Sequence, residues 1–160
     1  MEQKLLERLN QWHEEEEYEK IAEEIRKIPE KDWDYDLICH LARACNNLGE
    51  YDTAAGLLLQ AQAEGEKDPL WHYRLGYAYY YLDREKEAKE ELEKACRLDP
   101  SDRDAWYLLA CCCEILEEES ELSVPEGILA EARRDIAVAN CSPVVYSEEE
   151  MDSVEEHIKK

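Results

Sequence analysis

The sequence predicts an all-α protein: an α-solenoid of about four antiparallel helix–turn–helix hairpins, followed by a C-terminal capping or linker helix. Three observations carry that prediction. Only five Gly and five Pro interrupt 160 residues, and 38% of the side chains are Asp, Glu, Lys or Arg, so helix formers abound and breakers are scarce. Apolar residues recur at helical spacing, as in Leu75, Tyr79 and Leu82, or Ala88, Leu92 and Ala95. The third observation is an internal repeat. Aligning residues 35–68 with residues 69–102 puts Leu41 on Leu75, Ala42 on Gly76, Leu48 on Leu82, Ala54 on Ala88, Leu58 on Leu92 and Ala61 on Ala95. A fixed period of this length marks a stacked repeat architecture.

The elements follow in order. Residues 1–34 form a divergent first hairpin, with Leu5, Leu9 and Trp12 on one helix and Tyr18, Ile21, Ala22, Ile25 and Ile28 on the next. In the repeat 35–68, Gly49 closes the first helix; in the repeat 69–102, Asp83 does so. Asp68 caps the helix that Pro69 opens. Small residues at Ala42, Gly76 and Ala110 allow helix backbones to approach closely. Neither helix of a pair can bury its apolar stripe alone, so the hairpins must stack. The unit 103–140 continues the register with Trp106, Leu109, Ala110 and Leu116; it then has a lengthened turn, and its second helix is predicted from about Pro125 to Asn140. In the tail 141–160, Pro143 breaks the preceding helix, Ser147 and Glu150 make a capping box, and Val154 and Ile158 supply a thin stripe. It reads either as a cap on the last hairpin or as a linker to a second domain.

These positions resemble those of the tetratricopeptide repeat family, of bacterial type. Residues 69–102 match its pattern through Leu75–Gly76, Tyr79, Ala88, Leu92, Ala95 and Pro100. Residues 35–68 match through Leu41–Ala42, Gly49, Ala54, Leu58 and Ala61, without the terminal Pro. The tail resembles linkers that precede suppressor-of-fused-like domains in some bacterial repeat proteins. That likeness implies an alternative: an N-terminal accessory module of a longer protein, for example of toxin-immunity type.

The family resemblance implies a non-catalytic scaffold whose first helices line a concave groove for a protein or peptide. Carried onto this chain, the groove set is Cys39, His40, Arg43, Asn46 and Asn47, then Tyr73, Arg74, Tyr77 and Tyr80, then Tyr107, Cys111 and Glu114. Asp36, Leu70, Tyr81 and Asp104 fall at further groove positions. Tyrosine offers large contact area with a hydroxyl to spare, and arginine forks onto carboxylates or stacks on rings. The family's clamp for chaperone C-terminal tails uses Lys, Asn and Arg; here those positions hold Cys39, Arg43, Arg74, Asp104 and Leu108, so such tails are not supported as ligands.

Other function classes are disfavoured. A net charge of −22 repels phosphate backbones and argues against nucleic-acid partners. It reads as a solvated face or as a field that draws a basic partner. No apolar run spans a membrane, and the N-terminus lacks the pattern of a secretory signal, which together suggest a cytoplasmic protein. No phosphate loop, metalloprotease motif or serine elbow is present, and no cofactor is called for. Cys39 and His40 are adjacent, but neighbours on a helix diverge by about 100° and cannot form a nucleophile–base pair. The histidines at 13, 40, 72 and 157 are scattered, and His72 is expected in the core. The run Cys111, Cys112 and Cys113 fans out in the same way, so no metal is expected. Cys112 and Cys113 read as core, with Cys45, Cys96 and Cys141 similar; Cys111 and then Cys39 are expected to face the groove and react first with a thiol reagent.

Overall fold

The computed structural model describes residues 2–125 together with 127 and 128. Within them the chain forms eight α-helices: α1 (Gln3–Glu14), α2 (Tyr18–Arg26), α3 (Tyr35–Asn47), α4 (Tyr51–Gln60), α5 (Gln62–Gly65), α6 (Pro69–Tyr81), α7 (Glu85–Leu98) and α8 (Arg103–Leu116). A single 3-10 turn, Glu30–Asp32, joins α2 to α3, and the described residues contain no strand. Packing follows chain order, α1 on α2, α2 on α3, α3 on α4, α4 on α6, α6 on α7 and α7 on α8. The lead helices also touch one another, α3 with α6 and α6 with α8. This is a solenoid of helical hairpins. The second helix expected near 125–140 and the tail at 141–160 lie almost wholly outside the described residues.

The repeat is written into the helix ends as well as the core. Asp34 caps α3 by accepting from the Leu37 N–H at 2.8 Å, Asp68 caps α6 through the Leu70 N–H at 3.0 Å, and Asp102 caps α8 through Asp104 and Ala105 at 3.1 and 3.2 Å. Each such cap is worth about 1 kcal/mol. The lead helices stop in a left-handed residue: Glu16 at φ 58°, Gly49 at 80°, Asp83 at 60° and Glu117 at 54°. That conformation reverses the chain into the following segment.

Between these ends most of the aligned positions are buried. Leu41, Leu75 and Leu109 are at most 1% exposed, and Ala54, Ala88, Leu58 and Leu92 are sealed. At Gly76 an added Cβ would sit 2.7 Å from Leu92 Cγ, which is why the smallest residue stands where α6 crosses α7. Tryptophans fasten each lead helix to the end of the preceding hairpin. The indole N–H of Trp33 donates to the Ile28 carbonyl (2.9 Å), that of Trp71 to Leu58 (2.8 Å) and that of Trp106 to Pro100 (2.9 Å). The Trp71 bond also accounts for the break between α4 and α5. The Leu58 carbonyl turns to the indole and to the Ala61 N–H, and Gly65 presses on the ring so closely that a Cβ would fall 2.3 Å from it.

Candidate functional site

Setting α3, α6 and α8 side by side creates an open cavity of about 550 Å³ along the lead helices. Among the described residues its walls are Arg43, Asn46 and Asn47 from α3, Leu70, Tyr73, Arg74 and Tyr77 from α6, and Asp104 from α8; Tyr18 and the turn residues Asp99, Ser101 and Asp102 close it. Six of the twelve residues picked from the sequence therefore meet in one place: Arg43, Asn46, Asn47, Tyr73, Arg74 and Tyr77. Asn46 ties the wall together, its Nδ2 donating to the Arg74 carbonyl at 3.1 Å. Its buried Oδ1 has no hydrogen-bond partner among the described residues.

The other six stand elsewhere. His40 is half-buried with Nδ1 2.9 Å from Nε2 of His13, at the seam between the first two hairpins. Tyr80 meets Tyr81 edge-on, the ring centroids 5.1 Å apart, while Tyr107 is half-buried and Glu114 exposed on α8. Two expectations need correction: Cys39 and Cys111 do not offer accessible thiols, being 7% and 4% exposed. Cys39 packs beneath Tyr35, which bonds its hydroxyl to Asp68 at 2.7 Å. On α8 every residue from Leu108 to Cys113 is buried, more than a full turn, so that stretch of the helix is covered on all sides. The sequence reading also missed Tyr18, which it assigned to a core stripe, and the Asp99–Asp102 turn. The spacing of Asp34, Asp68 and Asp102 was the available clue to the last of these.

The family model for the tetratricopeptide repeat matches residues 69–102, the α6–α7 hairpin. Helix-on-helix packing of the same kind is seen in α3–α4 before it, and α8 packs on α7 and α6 after it. The chain carries a tetratricopeptide repeat. No curated protein matches it. Repeats of this kind point to a protein-interaction scaffold rather than to catalysis.

Tyr73 and Tyr77 line the cavity, and a chain of tyrosine rings continues from them beyond it. Tyr73 and Tyr77 have centroids 6.2 Å apart, Tyr77 and Tyr81 4.7 Å, and Tyr81 stacks on Tyr51 of α4 at 5.0 Å and 11°. Burial first, then neighbouring carboxylates and phenols, pushes the Tyr73 hydroxyl well above its ordinary range; burial and the neighbouring tyrosines do the same at Tyr77. Both stay neutral, with hydroxyls that donate or accept. Arg43 and Arg74 supply the positive charge. Burial, then the proximity of Arg74, lowers the pKa of Arg43 from its ordinary value.

Among the described residues no three His, Cys, Asp or Glu converge to hold a metal, and no helix is long and apolar enough to cross a membrane. Burial pushes the Cys45 and Cys113 thiols up to about 11, and raises Cys96 and Cys112 further. These are core side chains, not nucleophiles.

Proposed function

We propose that this tetratricopeptide repeat protein is a non-catalytic scaffold that binds a protein segment or peptide along α3, α6 and α8, with Arg43, Asn47, Tyr73, Arg74 and Tyr77 as contact residues. The observation that carries the reading is the cavity of about 550 Å³, in which residues of successive lead helices converge. Rigid helices hold these groups in place, so little side-chain entropy is lost on binding. The tyrosines supply apolar area with hydroxyls at its edge. The surrounding acidity argues against nucleic acid as the partner. The buried thiols Cys45, Cys96, Cys112 and Cys113 suit a reducing compartment, consistent with a cytoplasmic setting.

Affinity capture with the wild-type chain and with a Tyr77→Ala/Arg74→Ala variant tests this. The partner identified by mass spectrometry should be lost from the variant, while helical circular dichroism stays intact. Equal capture by both proteins would remove the groove from the account.

A further inference from the structure

The charges that line the cavity come from different elements. Arg43 stands on α3 and Arg74 on α6, and both lower the pKa of His13 and His40 toward α1, after burial, which acts first at each. Three acids line the cavity from the side of α8: Asp99 and Asp102 in the turn before that helix, and Asp104 in its first turn. Burial comes first in raising the pKa of Tyr73, and Asp104 and Asp102 lie near enough to its hydroxyl to add to the rise. Asp99 and Asp102 each commit one oxygen to the fold. Asp99 Oδ1 accepts from the Ser101 N–H at 3.1 Å and from its hydroxyl at 2.5 Å, while Asp102 Oδ1 caps α8. Among the described residues neither carboxylate is ion-paired to Arg43 or Arg74. A second observation, in the α3 wall, also calls for a donor. Asn46 is 5% exposed, and its Oδ1 has no hydrogen-bond partner among the described residues while its Nδ2 is spent on the Arg74 carbonyl. A buried acceptor left unmet is costly, and a ligand N–H relieves it.

We propose that the α8 side of the groove takes one cationic group of its peptide ligand, on the carboxylates of Asp99 and Asp102 and against Tyr73; this rests on the groove reading above and names the chemistry of what the groove takes. An ammonium or guanidinium donates to two carboxylates at once and is drawn to the negative face of an aromatic ring. The net charge of −22 attracts such ligands from a distance. Arg43 and Arg74 limit the choice, because a run of bases would carry like charge past them. The ligand is thus a segment with one isolated base. That base is either a Lys or Arg side chain or the peptide's own N-terminus.

The charge of the two aspartates can be removed with their folding roles kept, because Asn caps a helix about as well as Asp and retains Oδ1 as an acceptor. The test therefore sets Asp99→Asn/Asp102→Asn against wild type in the full chain. Tyr77→Ala probes the groove itself. Glu30→Gln/Glu64→Gln removes the same charge at two exposed sites outside the cavity. An array of short random peptides, each made with a free and with an acetylated N-terminus, supplies the ligand. Its strongest binder is titrated beside a copy in which the base is replaced by Gln. Binders should carry one base more often than none or several. Losing the base, or the two aspartate charges, should weaken binding about tenfold or more, and the two losses should not add. The Glu30/Glu64 variant should change affinity by about twofold or less, since exposed charges farther off are screened. Sensitivity to acetylation alone assigns the N-terminus; sensitivity to Gln assigns Lys or Arg. Equal weakening by both charge variants would mean that the field of the whole protein draws the base, and overturns the proposal. Binders lost with Tyr77→Ala but indifferent to Asp99→Asn/Asp102→Asn also overturn it and leave the groove reading standing. Binders indifferent to both of those variants overturn both readings. An array without any binder, or one led by basic runs, counts against the proposal as well.

Discussion

Two buried histidines sit at comparable joints of this solenoid and are held in opposite protonation states. His72, on α6, is 3% exposed; its Nδ1 lies 2.6 Å from Glu91 Oε2 on α7 and its Nε2 2.8 Å from the Glu66 carbonyl. Both neighbours only accept, so both ring nitrogens must donate, and the ring is an imidazolium. Burial alone would depress its pKa, but the bonds to Glu91 and Glu66 outweigh burial and raise it. His13, on α1, is 4% exposed and faces the His40 ring, stacked at 5.1 Å. There burial acts first, then Arg43, His40 and Arg74, and the pKa falls to about 3. His13 therefore stays neutral: its Nε2 shares one proton with His40, and its Nδ1 has no partner among the described residues. A buried histidine is thus not one kind of object. The charge of the groups facing it decides whether it acts as half of an ion pair or as a flat apolar filler.

The charged joint should break hardest. Glu91→Leu strands a buried ring that had two acceptors, and a loss of about 3 kcal/mol is expected by urea denaturation. The His72→Leu/Glu91→Leu double variant should recover most of it, because two packed apolar side chains need no counter-charge. A double variant no more stable than Glu91→Leu would mean that the pair acts through packing and not through charge.

The joints should also separate by pH. For His72 the folded pKa lies above the unfolded value, so its stabilisation is full below about 6.5 and drains as pH rises through the folded pKa. For Glu91 burial alone would raise the pKa, but His72 and Lys94 hold it below the usual carboxylate range; its contribution is present at neutral pH and drains in acid. His13 and His40 run the other way from His72. Below about 6.5 the unfolded chain takes up protons that the folded seam refuses, so stability falls from there toward the His13 value of about 3. Removing His72 should flatten the alkaline limb of a stability–pH curve, and removing His13 the limb just below pH 6.5. Each full proton is worth about 1.4 kcal/mol per pH unit at most. Both variants moving the same limb would refute the assignment of opposite states.

The scaffold around these joints was far more legible in the sequence than the joints themselves. Leu41 over Leu75, Ala42 over Gly76 and Ala54 over Ala88 repeat, and a repeated apolar position has one physical cause, burial in a stacked unit. The turns at Gly49 and Asp83 were legible from residue types that tolerate the left-handed conformation in which the lead helices end. Asp34 and Asp102 carry the cap that Asp68 advertises beside Pro69, yet one aspartate looks like any other in so acidic a chain. The His13–His40 contact joins residues 27 apart, off the repeat, so no periodicity announces it. Register correctly put Cys39, Asn46 and Cys111 on the lead helices, but it gives only an angle around a helix. Whether that angle opens to solvent depends on how closely the neighbouring elements pack, and here they close over all three. The α4–α5 break was hidden because its cause, Trp71, reaches back from the next hairpin.

The smallest effect expected is also the sharpest contrast between the joints. His13→Phe keeps a flat ring against His40 and removes one shared hydrogen bond, but it also removes a buried nitrogen that has no partner. Losing a made bond and losing an unmet polar group are of similar size and opposite sign. The change at neutral pH should then stay within about 1 kcal/mol, against several for the loss of Glu91. Because the imidazole that could charge is gone, the variant should gain on wild type as pH falls below about 6.5. A denaturation series at neutral pH and in mild acid checks both statements. A large loss at neutral pH would mean that the His13–His40 bond, and not the apolar stack, holds the first hairpin to the second.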